Sequence, residues 1–235
     1  MTYQDIHPAR FIARPNRFIA RVELDGREET VHVKNTGRCK ELLLPGCTVY
    51  LERSANSQRK TKYDLVAVEK ARPGRPPLLI NMDSQAPNRV FGEWLAAGQG
   101  ADLGLPKPSL IRPETTWGNS RFDFYWEEAG RKGFVEVKGC TLEEDGLALF
   151  PDAPTERGVK HLRELISCCQ AGYEAAVCVV VQMEGMIAFS PNDRTHPEFG
   201  AALREAARAG VKVLAVECAV APDRLFMTGP IPVRL

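Results

Sequence analysis

The residues of this chain whose types and spacing could do chemistry lie close together, in the stretch SRFDFYWEEAGRKGFVEVKG. Two runs of β-forming residues flank Glu128-Ala129-Gly130-Arg131, the composition of a tight hairpin turn. With the turn centred between residues 129 and 130, cross-strand partners have numbers summing to 259, so Asp123 falls opposite Glu136. Directly opposed residues hold their Cβ atoms about 4.5–5.5 Å apart. Period-2 alternation puts Phe122, Phe124, Trp126, Val135 and Val137 on one face, and Asp123, Glu136 and Lys138 on the other. Two facing carboxylates repel unless something compensates, and a divalent cation would keep both ionised. An all-oxygen donor set favours Mg²⁺ or Mn²⁺ over zinc. Lys138, about 6.6 Å along the strand from Glu136, could orient or activate a water, or steady charge developing on a phosphoryl group. The plain alternative is a solvated charged hairpin, and a bulge would pull the acids apart.

The pattern Asp…Glu-x-Lys, set in the order helix, strand, strand, strand, helix, strand, resembles the core of the PD-(D/E)xK nuclease superfamily. That resemblance implies catalytic roles for Asp123, Glu136 and Lys138, with Asp123 and Glu136 as metal ligands. In such folds the first helix often adds a carboxylate, and Glu93 in VFGEWLA is the matching position. Paired carboxylates about 5–5.5 Å apart also suit a retaining glycosidase. The adjacent lysine and the lack of a sugar-stacking aromatic platform argue against that reading, with Trp117 and Trp126 read as core.

These side chains need a scaffold, and the pattern supplies one. APNRVFGEWLAAG (86–98) reads as a helix, and SLIRPETTW, RFDFYWEE, KGFVEVKGC and DGLALFPD as strands. PTERGVKHLRELISCCQ (154–170) is a helix with Val159, Leu162, Ile166 and Cys169 on its apolar face. Opposite them, Arg157, Lys160, His161 and Glu164 fall at i, i+3, i+4 and i+7, a polar face suited to phosphate contacts near the acids. EAAVCVVVQ and VKVLAVEC are apolar enough for buried central strands, and HPEFGAALREAARAG lies between them as a helix. Strands alternating with helices imply an α/β layer.

Residues 1–80 differ in kind. They carry fifteen Lys and Arg against nine Asp and Glu, a net +6, while residues 81–235 carry sixteen against twenty-one, a net −5. Short strands (ARFIAR, NRFIARVEL, EETVHVK, CTVYLER, YDLVAVEK), one helix-like break at GRCKELLL and frequent turn residues imply a small β-barrel. The Pro-rich ARPGRPP (71–77) reads as a linker to the second domain. The basic residues point to a polyanion, and Arg14, Arg17, Asn35, Thr36, Arg38, Arg59 and Lys60 are the candidate DNA contacts, joined by Arg157, Lys160 and His161. Phe11, Phe18, Tyr50 and Tyr63 read as core as readily as surface, so phosphate contacts with little sequence specificity are expected over base stacking.

The segments FIARPNRFIARVELDG, NTGRCKELLLPG, LINMDSQAPNRV, GFVEVKGCTL and FPDAPTERGVKHLRELI together resemble the sugar fermentation stimulation protein A family over nearly the whole chain. The resemblance implies a mixed α/β protein with an N-terminal OB-like β-barrel (1–80) and a C-terminal PD-(D/E)xK nuclease-like α/β domain (81–235). It also implies DNA binding with a link to sugar-utilisation genes, as a metal-dependent nuclease or as a non-cutting regulator. Two places depart from the family pattern: Val33-Lys34 and Cys39 around Asn-Thr-Gly, and His196, where an acidic residue is expected.

No apolar leader precedes the first strand and no run reaches the 18 residues of a membrane span. The seven cysteines lack paired spacing and lie in apolar or helical stretches. These features are expected of a cytoplasmic protein with reduced thiols. Oligomeric state is not legible.

Overall fold

The computed structural model describes every residue except Thr36 and Ser57. The basic half forms a six-stranded sheet: β1 (Ile6–Asn16), β2 (Ile19–Leu24), β3 (Arg27–Val33), β4 (Thr48–Arg53), β5 (Tyr63–Arg72) and β6 (Arg75–Asn81). Its order is β3-β2-β1-β4-β5-β6, and a parallel pairing of β3 with β5 (His32 beside Asp64, Val33 beside Leu65) links the first five strands in a ring. The alternating pattern of β2 drives this, since Ala20, Val22 and Leu24 are buried while Arg21 and Glu23 face water. Two expectations change here. ARPGRPP is not a linker but the turn of the β5–β6 hairpin, where Gly74 adopts φ +68°. GRCKELLL forms turns rather than a helix, with Cys39 itself at φ +44°.

The acidic half follows as α1 (Ala86–Ala96), β7 (Leu110–Trp117), β8 (Ser120–Glu128), β9 (Arg131–Cys140), β10 (Leu142–Glu144), β11 (Leu147–Phe150), α2 (Glu156–Gln170), β12 (Glu174–Val181), β13 (Ala188–Pro191), α3 (Pro197–Arg208), β14 (Lys212–Ala221) and β15 (Arg224–Pro230). A mixed sheet of order β15-β14-β12-β9-β8-β7 runs through it, with β12 parallel to both neighbours and buried on both faces. Helix α1 covers one face, packing Phe91 and Trp94 on Phe124, Trp126 and Val135. Helices α2 and α3 cover the other, over Phe122, Phe134, Val177 and Val179. A small sheet, β10-β11-β13, lies beside them. The core on the α2 side continues through Met82, Cys140 and Met183 into Val31, Leu65 and Ile80 of the first sheet. The two halves therefore share one interior.

All seven cysteines are free, and burial pushes the Cys140 thiol up to about 12. Among the described residues, no helix is long and apolar enough to cross a membrane.

Candidate functional site

The β8–β9 turn is the two-residue kind the sequence implies: Glu128 pairs with Arg131, and Ala129 and Gly130 both take positive φ (+48° and +80°), the primed geometry that matches strand twist. Partners sum to 259 from that pair through Phe124–Val135. There the ladder stops. Asp123 and Glu136 occupy the next position, but Asp123 turns its side chain inward and its Oδ2 accepts from the backbone N–H of Val137 at 2.7 Å. Glu114, across from Asp123 on β7, sits at φ +52° and is likewise skipped in the pairing. This irregularity reverses the alternation. Phe124, Trp126, Val135 and Val137 pack under α1 as expected, but Phe122 emerges on the opposite face, against Phe134 and His161.

Glu136 is 3% exposed. Its Oε1 accepts from Lys138 Nζ at 2.5 Å and lies 2.5 Å from His161 Nδ1. Arg157 Nε donates to the other ring nitrogen of His161 at 3.3 Å, so the proton in this network belongs on Nδ1. Oε2 of Glu136 is buried without a hydrogen-bond partner. Burial alone would raise the Glu136 carboxyl, but His161 and Lys138 outweigh it and hold the group below its ordinary range. Asp123 goes the other way. Burial first and the Glu136 charge second raise it, against the pull of Val137 N–H, Asn88 and Lys138.

Asp123, Glu136 and Lys138 thus come together. Glu93 does not join them: it is exposed on α1 and bonded to the Met1 ammonium at 2.8 Å and to Arg89. The α1 residue that does reach the site is Asn88, whose Nδ2 donates to Asp123 Oδ1 at 2.7 Å. An amide gives no charge signal, so the sequence offered no reason to choose it. His161 also departs from expectation. Only 4% exposed, it is turned inward between Phe122 and Glu136, while Leu165 and Cys168 are more deeply buried than Ile166 and Cys169. Lys160 ties α2 to the β7–β8 turn through the Asn119 carbonyl at 2.7 Å. Arg157 remains exposed at the outer end of the network.

The expected DNA contacts of the basic half divide. Arg14 is a structural clamp, its guanidinium donating to the carbonyls of Arg17, Asn35, Gly37 and Arg38 at 2.6–2.8 Å. Asn35 is used internally, donating to Met82 O and accepting from Gly37 N. Arg59 forms two bonds to Asp64 at 2.7 and 2.8 Å. Arg17, Arg38 and Lys60 are exposed, while Thr36 lies outside the described residues. Phe11 is core, but Phe18 is 46% exposed. His196 is buried at the N-cap of α3, 3.4 Å from Glu156 and 3.6 Å from Glu198, so it joins the starts of α2 and α3.

Comparison with known proteins agrees with this architecture. Residues 12–78 match the model described as the SfsA N-terminal OB domain, and residues 85–224 that of the sugar fermentation stimulation protein RE domain. A sugar fermentation stimulation protein homolog of Desulfitobacterium hafniense strain Y51 is 54% identical over 235 residues, covering 100% of this chain and 99% of the other. One from Clostridium beijerinckii is 52% identical over 225 residues, 96% of each. A solved structure titled "The structure of Pyrococcus Furiosus SfsA in complex with Ca2+" superposes with a TM-score of 0.86 at 27% identity, covering 100% of this chain and 98% of that one. With both domain models and full-length relatives in register, the chain belongs to the sugar fermentation stimulation protein family.

Proposed function

We propose that this protein binds DNA and hydrolyses phosphodiester bonds with a divalent cation, Mg²⁺ or Mn²⁺, at Asp123 and Glu136, on a PD-(D/E)xK-like core. The carrying observation is the buried, unpartnered Glu136 Oε2, in electrostatic contact with an Asp123 whose carboxyl is raised first by burial and then by that neighbour. An orphaned anionic oxygen in a buried site is costly unless a cation completes it. Among the described residues, no three His, Cys, Asp or Glu side chains cluster to hold a metal. The ion would therefore rest on the two carboxylates and keep several waters, which is how Mg²⁺ is commonly held. A bound cation would lower the pKa of an attacking water and offset charge on the phosphoryl oxygens. The relative from Pyrococcus furiosus, by its title, was solved with Ca²⁺.

The chain's own groups have distinct tasks. Asn88 and the Val137 N–H fix Asp123. His161 and Lys138 hold one Glu136 oxygen and so leave the other free. The Lys138 ammonium, 16% exposed in its side chain, steadies a water or a developing negative charge. Arg17, Arg38, Lys60 and Arg157 supply exposed positive charge for the DNA backbone, a contact indifferent to sequence.

A second reading is a DNA-binding regulator that does not cut. It is favoured by Lys138 and His161, which already balance Glu136 without a metal. Labelled single-stranded and duplex DNA, incubated with Mg²⁺, Mn²⁺ or EDTA beside a Glu136→Ala, Lys138→Ala double variant, separates the two. Metal-dependent cutting lost in the variant, with binding kept, is the expected result. Binding without cutting under every condition establishes the regulator.

A further inference from the structure

Among the described residues, the basic half exposes one large aromatic ring, whose neighbours are arranged around a cleft that phosphate contacts alone do not explain. Phe18, in the β1–β2 turn, is 46% exposed, and the Arg17 guanidinium lies over its ring at 4.8 Å. A cavity of about 320 Å³ opens beside it, between the end of β3 and the approach to α1, lined among others by Phe18, His32, Asn35, Ser84 and Gln85. His32 is oriented from behind. Its Nδ1 lies 2.8 Å from Asp64 Oδ1, and Asp64 in turn is gripped by Arg59. The Asp64 carboxyl accordingly sits low: burial opposes this, but Arg59 and His32 outweigh it. His32 side-chain exposure is 36%, leaving Nε2 available to the cleft. Gln85 is exposed, and among the described residues its side-chain amide has no hydrogen-bond partner. The cleft thus combines a flat apolar ring, an oriented imidazole and an amide able to donate and accept, with the Arg17 cation outside its lining, over the ring.

Resting on the nucleic-acid reading above, we infer that this cleft is a subsite for one unpaired nucleobase. Phe18 supplies the stacking face, His32 and Gln85 meet polar edges of the base, and Arg17 meets the adjoining phosphate. A base inside a duplex has both faces stacked and its edge paired, so only a single-stranded segment, an overhang or an extruded base can enter. The subsite and the acid pair share a helix. Gln85 is the N-cap of α1, and Asn88, which donates to Asp123, lies three residues along, about 4.5 Å of axial rise. A base seated at Phe18 therefore registers a neighbouring stretch of backbone against Asp123 and Glu136. The substrate class is DNA with an unpaired segment, read by stacking and not by sequence.

The test compares binding of a fluorescein-labelled dT12 and a blunt duplex by anisotropy, in EDTA so that nothing is cut. The proteins are wild type, Phe18→Ala and Phe18→Trp. Phe18 is a surface residue outside the core, so Phe18→Ala keeps the fold. The expected result is about tenfold weaker binding of dT12 by Phe18→Ala, the order of one base–aromatic stack. Phe18→Trp should restore it, and duplex affinity should be unchanged. Equal dT12 affinity in wild type and Phe18→Ala overturns the subsite while leaving DNA binding intact. If Phe18→Ala weakens dT12 and duplex alike and Phe18→Trp restores neither, the effect is not stacking and the subsite is again overturned. No binding of either DNA by wild type overturns the nucleic-acid reading itself, and the subsite with it.

Discussion

At the scale of single residues, the two acids of the site titrate in opposite directions, and this sets a stability signature. A raised Asp123 keeps its proton in the folded protein when the unfolded chain has lost it, so it subtracts stability as pH rises from about 4. A lowered Glu136 adds stability at neutral pH that is lost as pH falls through its depressed folded value. Asp123→Asn should therefore melt higher than wild type at pH 7 in EDTA. About 1 kcal/mol corresponds to roughly 2–4 °C in a chain of this size, and the gap should close below about pH 4. Thermal melting of both proteins across pH checks it, and on the proposed function added Mn²⁺ should raise the melting temperature of wild type but not of the variant. The basic residues carry a second signature. Arg14→Ala orphans four carbonyls and should lower the melting temperature, whereas Arg17→Ala should leave melting within about 0.5 kcal/mol and weaken DNA binding, as paired melts and salt titrations would show. Composition could not separate these two arginines, because both occur in one FIARPNRF stretch and only tertiary placement turns one inward.

At the scale of elements, the site depends on how closely α1 approaches β9. Gly139 permits that approach: a Cβ there would stand 2.7 Å from Pro87 Cγ and 2.6 Å from Gln182 Oε1. Gly139→Ala should push the first turn of α1 outward, carry Asn88 off Asp123, and weaken Mn²⁺ binding several-fold while the protein stays folded. Calorimetric titration of Mn²⁺ into both proteins measures this. The hairpin was legible because Ala-Gly at a two-residue turn fixes the register and the register aligns the acids. Period-2 logic failed only at Asp123, where a local irregularity opposite Glu114 flips one residue and so misplaces Phe122. His161 was misread for a related reason. Helical spacing put it with Arg157 and Lys160, yet a histidine at the edge of an apolar stripe can turn inward when a buried carboxylate awaits it. Strands β6, β10, β13 and β15 were missed, since each is short, rich in Pro or Gly, or at an edge where no alternation is required.

At the scale of the molecule, the contrast between basic and acidic halves is one of surface, not of interior. Asn81 and Asp83 at the end of the first sheet bond to Gln182 from the second, and Lys34 reaches Asp83 at 2.8 Å. With a shared core beneath these contacts, the protein should unfold in one transition by calorimetry, with calorimetric and van't Hoff enthalpies agreeing. Two separated transitions would show the halves to be independent. Charge segregation divides the chain near residue 80, but it says nothing about how the two parts are joined. The joining instead depends on buried amides, which leave no mark on net charge.

The Asp123–Val137 contact bears on how this family can change over time. Because the carboxylate stands in for a missing rung of the sheet, losing it would expose a main-chain donor as well as remove one of the two proposed cation ligands. A lineage that abandoned chemistry would still be held to an oxygen-bearing side chain at that position by folding alone. Persistence of an oxygen acceptor there is then a record of architecture. The oxygen that the fold itself does not require is Glu136 Oε2, and on the proposed function its retention is the mark of chemistry.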